Sequence, residues 1–400
     1  MGRGTERVAR IRSALQDVGL DALVCSLPTN VLLLSGYWPV VGTAVAVATR
    51  DGRVAVLAPE DEEELARQGW ATEVRTYHPG SLSSLTSPVT AMRDPLAALL
   101  RTLGLTGGRI GYEDTDVYEQ SSYAAMYLLQ AALPALLRES ARQATTLSAA
   151  EPISRLRSTL TTDEVAQVRD ACAVAAAAFT LGMSALRPGA TEAAVAAAFG
   201  APLSVNGLAQ PGANRAGGFA YCMSGPNAAL AGGAYARSRN RDLRLGDFVL
   251  VHCNSYLNGY WTDVTRTYCL GVPDERQRAM YGAVLAARAA ALTAIRPGVA
   301  AAAVDKAARE VLTERGYGNE FTHGVGHNVG LSAISAEYPP RLHPASSDRL
   351  EVGMTFNIEP AIYIRGYGGL RHCDVVTVRE KGADVLTPFQ AGLDDMTVRG

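Results

Sequence analysis

Twice after residue 150 of this chain a long apolar helix pattern meets the same stop, Arg-Pro-Gly, and a shorter helix pattern follows. The first stop is Arg187-Pro188-Gly189 and the second is Arg296-Pro297-Gly298. Proline ends a helix because it has no backbone N–H and its ring clashes with the preceding turn; glycine accepts the left-handed backbone that a reversal needs. Such stops are common one at a time. What constrains the fold is that the order of long helix, stop and short helix recurs. Thr161-Thr162-Asp163-Glu164 is a capping box opening a helix through Leu186, and a second helix spans about Glu192 to Phe199. In the other copy Glu275 to Ile295 is the long helix and Ala301 to Arg315, closed by Gly316, is the short one. Each pair leads into strands. The pattern predicts a duplicated half-domain with a site at the seam between its copies, where ligand pockets commonly lie.

The first part of the chain reads differently. A helix over Val8 to Val18 stops at Gly19, and Ala22 to Cys25 is a buried strand. Strands over Val41 to Ala48 and Val54 to Ala58 flank the hairpin signal Arg50-Asp51-Gly52. A charged helix over Glu60 to Gln68, a strand over Arg109 to Tyr112 and a helix near Tyr118 to Leu133 complete an alternating α/β pattern. A boundary near Ala149 to Pro152 divides the 400 residues into domains 1–150 and 151–400, enough chain for two sizeable cores.

Composition narrows the function. With 37 basic and 39 acidic residues and no basic stripe, the chain is not an electrostatic nucleic-acid binder. The longest apolar run, Ala171 to Leu186, is broken by Thr180, Gly182 and Ser184 and reads as a buried helix, so no membrane partner is expected. The N-terminus does not read as a signal peptide, and the six cysteines are scattered singly. A reducing, cytoplasmic setting is the expectation.

The chemistry-bearing residues cluster in the second part, on or beside predicted strands. Phe248 to His252 follows the turn Leu245-Gly246-Asp247. Trp261 to Tyr268 alternates, with Asp263, Thr265 and Thr267 on one face and Val264, Arg266 and Tyr268 on the other. Met354 to Glu359 and Cys373 to Val378 are further strands. His252, His323, His327, His372, Asp263, Glu359, Cys373 and Asp374 together supply the nitrogen, oxygen and sulfur donors of a metal site.

Several ordered motifs then carry a resemblance. Gly259-Tyr260-Trp261-Thr262-Asp263-Val264-Thr265-Arg266-Thr267, His323-Gly324-Val325-Gly326-His327-Asn328-Val329-Gly330 and Asn357-Ile358-Glu359-Pro360-Ala361-Ile362-Tyr363 resemble the strand, His-loop and Glu-Pro motifs of the pita-bread fold family. That family includes Xaa-Pro aminopeptidases, prolidases, methionine aminopeptidases and the metal-free creatinase. Ser224-Gly225-Pro226-Asn227 resembles the lead into its catalytic strands. Gly19 to Leu23, Pro28 to Asn30 and Leu34 to Gly36 resemble its accessory domain. The resemblance implies an N-terminal creatinase-like α/β domain, a C-terminal pita-bread domain with a pseudo-twofold duplication, and a homodimer.

Carried over residue by residue, the family's five ligands to two divalent ions, in the order Asp, Asp, His, Glu, Glu, fall on His252, Asp263, His327, Glu359 and Cys373. The first Asp has become His252, and the last Glu, in Arg371-His372-Cys373-Asp374, has become Cys373. Of the family's three catalytic histidines, His323 is present; the other two positions are Ile334 and Tyr235. Four carboxylates against four positive charges become two carboxylates and at most one thiolate. One metal or none is therefore expected, with Zn, Fe or Co favoured over Mg or Ca if one binds. In the family the two exchanged positions face one ion, so His252 would lie beside Cys373 and could lower its thiol pKa. Arg266, Arg371 and Tyr235 are candidate substrate-binding residues, although strand arginines more often pair with internal acids.

The expectation is an Xaa-Pro aminopeptidase-like hydrolase of a C–N bond, acting on a short peptide or small molecule, with His323, Glu359, His252 and Cys373 as catalytic candidates. The alternatives are a creatinase-like enzyme that hydrolyses, eliminates or cyclises a small molecule without metal, and an inactive binding protein on the same fold.

Overall fold

The computed structural model describes residues 4–399 apart from 81, 84–85, 115–128, 130, 234–236 and 336. The chain divides into two compact units, Met1–Arg157 and Ser158–Gly400.

The first unit is one mixed sheet. Its strands are β1 (Ala22–Cys25), β2 (Val45–Thr49), β3 (Val54–Pro59), β4 (Glu73–Tyr77), β5 (Gly107–Tyr112) and β6 (Gln143–Ser148), in the order β4-β3-β2-β1-β5-β6. The pairs β1–β2 and β2–β3 are antiparallel and the outer pairs parallel. Val24, Val45, Val47 and Leu57 pack with Leu96, Leu99 and Leu100 of the helix Pro88–Thr102 in one core. The hairpin at Arg50-Asp51-Gly52 forms, with Gly52 at φ 95°. β2 begins four residues later than its sequence pattern suggests. The Val40 and Val41 amides instead donate to the buried Glu62 carboxylate, and Gly42 turns the chain at φ 85°. Most of the helix expected near Tyr118 lies outside the described residues, and a helix follows at Leu133–Ser140.

Two helix pairs carry the second unit. Thr162–Gly182 opens with the capping box of Thr161 and Glu164, and Glu192–Leu208 follows after Gly189 at φ 81°. Glu275–Ala294 opens with a second capping box, Asp274 with Gln277, and Ala301–Glu314 follows after Gly298 at φ 83°. The second helix outruns its expected end at Phe199 and continues past Pro202, because Val195, Phe199 and Leu203 stay fully buried and packing overrides local propensity. The segment Thr162–Ala185 is long and apolar enough by length and composition alone to cross a membrane, contrary to the sequence expectation. Here Val165, Val168, Cys172 and Phe179 are buried in the unit's core.

After the first pair come β7 (Ala216–Ser224), β8 (Phe248–Leu257), the short β9 (Tyr260–Trp261) and β10 (Val264–Leu270). After the second come β11 (Thr355–Ile358), β12 (Ala361–Ile364), β13 (Gly368–Arg371), β14 (Asp374–Arg379), β15 (Gly382–Val385) and β16 (Thr397–Val398). β7, β8 and β10 run antiparallel, with Tyr221 opposite His252 and His252 opposite Thr265. β11, β14 and β15 form the second sheet. A backbone bridge, Thr265 to Cys373, joins the two. The expected strand over Trp261 to Tyr268 is interrupted at Thr262 and Asp263, where the Thr262 hydroxyl bonds Ser255. The candidate residues sit around that bridge.

Candidate active site

His252 is 3% exposed and stacks on Tyr221, with ring centroids 4.6 Å apart. Its two nitrogens are both engaged. Arg371 Nη2, which can only donate, lies 3.0 Å from Nδ1. Arg371 Nε donates to Thr265 Oγ1 at 3.0 Å, and the Thr265 hydroxyl in turn lies 2.8 Å from Nδ1. Nδ1 is therefore the acceptor, and Nε2–H donates to Asn254 Oδ1 at 3.1 Å. Burial pushes the His252 pKa down, so the ring is neutral.

Asp263 and His327 form the next layer. His327 Nε2 lies 3.4 Å from Asp263 Oδ2 and 3.8 Å from Glu359 Oε1. Asn357 brackets the ring: its Oδ1 accepts from the His327 backbone N–H at 2.7 Å and its Nδ2 lies 3.1 Å from Nε2. Burial opposes charge on His327, but the hydrogen bond to Asp263 and the Glu359 charge raise its pKa to about 9. Burial would raise the Asp263 carboxyl, yet the charged His327 ring and the Arg371 guanidinium hold it below the usual carboxylate range. Arg371 Nη1 lies 3.7 Å from Glu359 Oε2, and Nη2 also donates to the Tyr221 hydroxyl at 3.0 Å.

His323 stands on the loop before His327. Its Nδ1 lies 2.8 Å from the Gly324 carbonyl, to which it donates, leaving Nε2 to accept from the Tyr363 hydroxyl at 3.1 Å. Burial lowers its pKa, so this imidazole is also neutral.

The seam thus brings together His252, Asp263, His327, Glu359, Arg371 and Cys373. Two expectations change. Cys373 is buried, and its thiol donates to the Asp263 carbonyl at 3.2 Å and approaches Asp263 Oδ1 at 3.5 Å and Asn357 Nδ2 at 3.6 Å. Burial and the Asp263 and Glu359 charges raise its pKa well above normal, the opposite of the thiolate that a neighbouring His252 could give. Arg266 is not a substrate-binding residue. It is fully buried, pairs with Asp374 at 2.7 Å, and donates to the Thr265, Cys373 and Thr387 carbonyls. Tyr235 lies outside the described residues, and Ile334 is 42% exposed. Asn254, Thr265, Asn357 and Tyr363 are the residues that sequence reasoning did not single out for this cluster. The alternation of β10, which puts Thr265 beside Asp263, was the available signal for one of them.

This donor set does not fit a dinuclear centre. Both His252 nitrogens are taken by protein partners, the Cys373 sulfur carries its proton, and two carboxylates share the site with a guanidinium. Among the described residues no group of three or more His, Cys, Asp or Glu side chains is arranged to hold a metal ion.

Two family models match: metallopeptidase family M24 over residues 166–380, and the creatinase/prolidase N-terminal domain over residues 7–159. The chain belongs to metallopeptidase family M24. It is 30% identical over 394 residues to an Xaa-Pro dipeptidase of Pyrococcus furiosus, covering 97% of this chain and 99% of that protein. Among solved structures it resembles an Xaa-Pro dipeptidase from Bacillus anthracis at 26% identity and TM-score 0.78, covering 99% and 100% of the two chains. Dipeptidase PepE from Mycobacterium ulcerans matches at 27% identity and TM-score 0.74 over the whole of both chains. The M24 match bears out the resemblance seen in the motifs and the fold it implies, and it supports a hydrolase. M24 prolidases usually use divalent metals.

Proposed function

We propose that this M24 member hydrolyses a C–N bond of a short peptide or small amide at the seam without a dinuclear metal centre. The observation that carries this reading is the engagement of both His252 nitrogens by Arg371, Thr265 and Asn254, which removes that ring from any ligand set. The convergence of Asp263, His327 and Glu359 would support one ion at most. The expected preference for Zn, Fe or Co belongs to that case.

His323 is the proton carrier of the proposal. Its Nδ1–H bond to Gly324 fixes the ring with Nε2 as the acceptor; the Tyr363 hydroxyl now holds that nitrogen and must turn away for it to act as a general base. Glu359 accepts one O–H of the attacking water and so aims its oxygen at the substrate carbonyl. As the C–O bond forms, His323 Nε2 takes the other water proton. It returns that proton to the nitrogen as the C–N bond breaks. Arg371, anchored by Tyr221 and Thr265, supplies the fixed positive charge nearest the developing oxyanion.

A panel of Xaa-Pro dipeptides and small amides tests the reading. Turnover is expected to survive chelator, and His323→Ala is expected to lower kcat about 10²–10⁴-fold with the fold intact by circular dichroism. Activity that disappears with chelator and returns with added metal contradicts the proposal, as does turnover indifferent to His323→Ala.

A further inference from the structure

Among the described residues β7 pairs with β8 alone, so one side of it is a sheet edge. Its backbone groups alternate between the two sides. The Cys222 N–H donates outward to Ser238 Oγ at 2.9 Å, and the Ser224 N–H donates outward to Glu192 Oε1 at 2.6 Å. On the facing strand Ser255, opposite Gly218, gives its carbonyl to the Thr262 N–H at 2.8 Å and not to β7. The even-numbered residues of β7 therefore turn their N–H and C=O away from β8. From Cys222 onward that outer side is partnered. Before it, at Gly218 and Ala220, the outward groups bond to none of the described residues. Gly218 and Phe219 are exposed and Ala220 is half-buried.

Folded proteins blunt such an edge with a charge, a proline or a bulge, because unpaired backbone groups recruit other chains. The stretch Ala216-Gly217-Gly218-Phe219-Ala220-Tyr221 carries neither charge nor proline. Its two glycines have an internal reason: a side chain at Gly217 would meet Tyr256, and one at Gly218 would meet the Asn254 carbonyl. That packing does not account for the open edge. Where the edge leads does. Phe219 lies opposite Asn254 and Tyr221 opposite His252. The Phe219 and Tyr221 rings are 5.8 Å apart, and Tyr221 stacks on His252. One face of the strand thus runs from exposed Phe219 into the seam.

We propose that the edge of β7 at Gly218 and Ala220 takes an extended peptide as an added antiparallel strand, with the peptide's N-terminal end at the seam. Recognition by strand addition draws affinity from main-chain bonds and specificity from alternate side chains. The peptide residues opposite Gly218 and Ala220 each exchange an N–H and a C=O bond with the edge. The residue between them sets its side chain on Phe219, which is 41% exposed, so an apolar residue suits that position. β7, β8 and β10 are antiparallel, and β7 runs toward Tyr221. An antiparallel partner therefore starts at the seam and ends beyond Gly218. The ligand is then a peptide longer than a dipeptide, presented by its N-terminus. Its fate at the seam rests on the hydrolase reading; the pairing does not.

Amide hydrogen exchange on the full chain tests the pairing without turnover. The probe is Ala-Pro-Thr-Val-Thr with its Ala–Pro amide reduced to a methylene amine, which cannot be hydrolysed. Saturation with it is expected to slow exchange at the Gly218 and Ala220 amides, while the equally reduced Ala-Pro leaves them unchanged. By calorimetry the pentapeptide should bind at least about tenfold tighter than the reduced dipeptide, a difference of about 1.4 kcal/mol. N-methylation of its third and fifth residues, which removes the N–H groups given to the edge, should erase both effects. Ala220→Pro removes an N–H that no strand bond uses, a place where an edge strand tolerates proline, and should lower the pentapeptide to the affinity of the dipeptide in a chain that still melts cooperatively. Pentapeptide binding that leaves both amides unprotected overturns the proposal, as does an N-methylated peptide that binds equally well. Protection already present without peptide and rising with protein concentration also overturns it, since a second copy then holds the edge. Protection by the reduced pentapeptide, with no turnover of its unreduced form, keeps the pairing and removes the hydrolase reading.

Discussion

The double substitution His252→Asp with Cys373→Glu is expected to raise the divalent metal content of this protein to two ions per chain. The wild-type seam presents two carboxylates, Asp263 and Glu359, with the Arg371 guanidinium 3.7 Å from Glu359. Two divalent ions about 3.5–4 Å apart bring four positive charges and need bridging anions to offset their repulsion. The substitutions restore four carboxylates. At position 252 a carboxylate accepts from Arg371 and Thr265 where the imidazole now does, which frees an oxygen toward Asp263. At position 373 it replaces a protonated thiol that already touches Asp263 and Asn357. Each single substitution restores one carboxylate and is expected to give one ion. Lengthening a buried side chain costs about 1–3 kcal/mol through overpacking, so a matched melting curve belongs with the measurement. Metal content measured after equilibration with Mn or Co and gel filtration reads the outcome. A folded double variant that still binds as wild type does would show that charge is not what sets the stoichiometry.

Arg266→Met is expected to destabilise the second unit by about 3–5 kcal/mol, the cost of removing one member of a buried ion pair. Arg266 and Asp374 are both fully buried, and Arg266 Nη2 holds Asp374 Oδ1 at 2.7 Å while Arg288 holds Oδ2 at 2.6 Å. The remaining Arg266 donors satisfy carbonyls of Thr265, Cys373, Thr387 and Phe389, and its guanidinium lies 4.4 Å from the Phe389 ring centroid. Methionine keeps the volume and removes every one of these bonds. For a unit of this size the loss corresponds to a drop of roughly 6–20 °C in Tm. A substrate-binding arginine behaves differently, raising KM while leaving Tm near wild type; that result would place Arg266 back in the pocket.

Arg266 also shows where the sequence was legible and misread. Alternation along Val264 to Tyr268 set it on the face opposite Asp263, Thr265 and Thr267, and the strand obeys that alternation: Thr265 and Thr267 bond Arg371 while Arg266 turns to Asp374. The period-two argument already excluded it from a site built around Asp263. The helix pairs, their capping boxes and the Arg-Pro-Gly stops were readable because each rests on local chemistry. The partners of Cys373 were not. They depend on the bridge between Thr265 and Cys373, a pairing of residues more than a hundred positions apart whose register no local pattern encodes. The same holds for Arg371 as the group that fixes the His252 tautomer, and for Asn357, whose amide is aimed at His327 only once β11 is in place. The Ser224 to Asn227 motif proved to be held by Glu192, much as Ser26 to Asn30 in the first unit is held by the buried Glu113. Both stretches were legible as motifs without showing that a buried acid gathers them.

The central claim is that the seam works with its own charges and imidazoles and not with a pair of ions. Elemental analysis of the wild-type chain purified without chelator, read beside its turnover before and after exhaustive chelation, tests this directly. Fewer than one ion per chain and unchanged turnover is the predicted result. Two tightly held ions per chain, with activity lost on their removal, would contradict it.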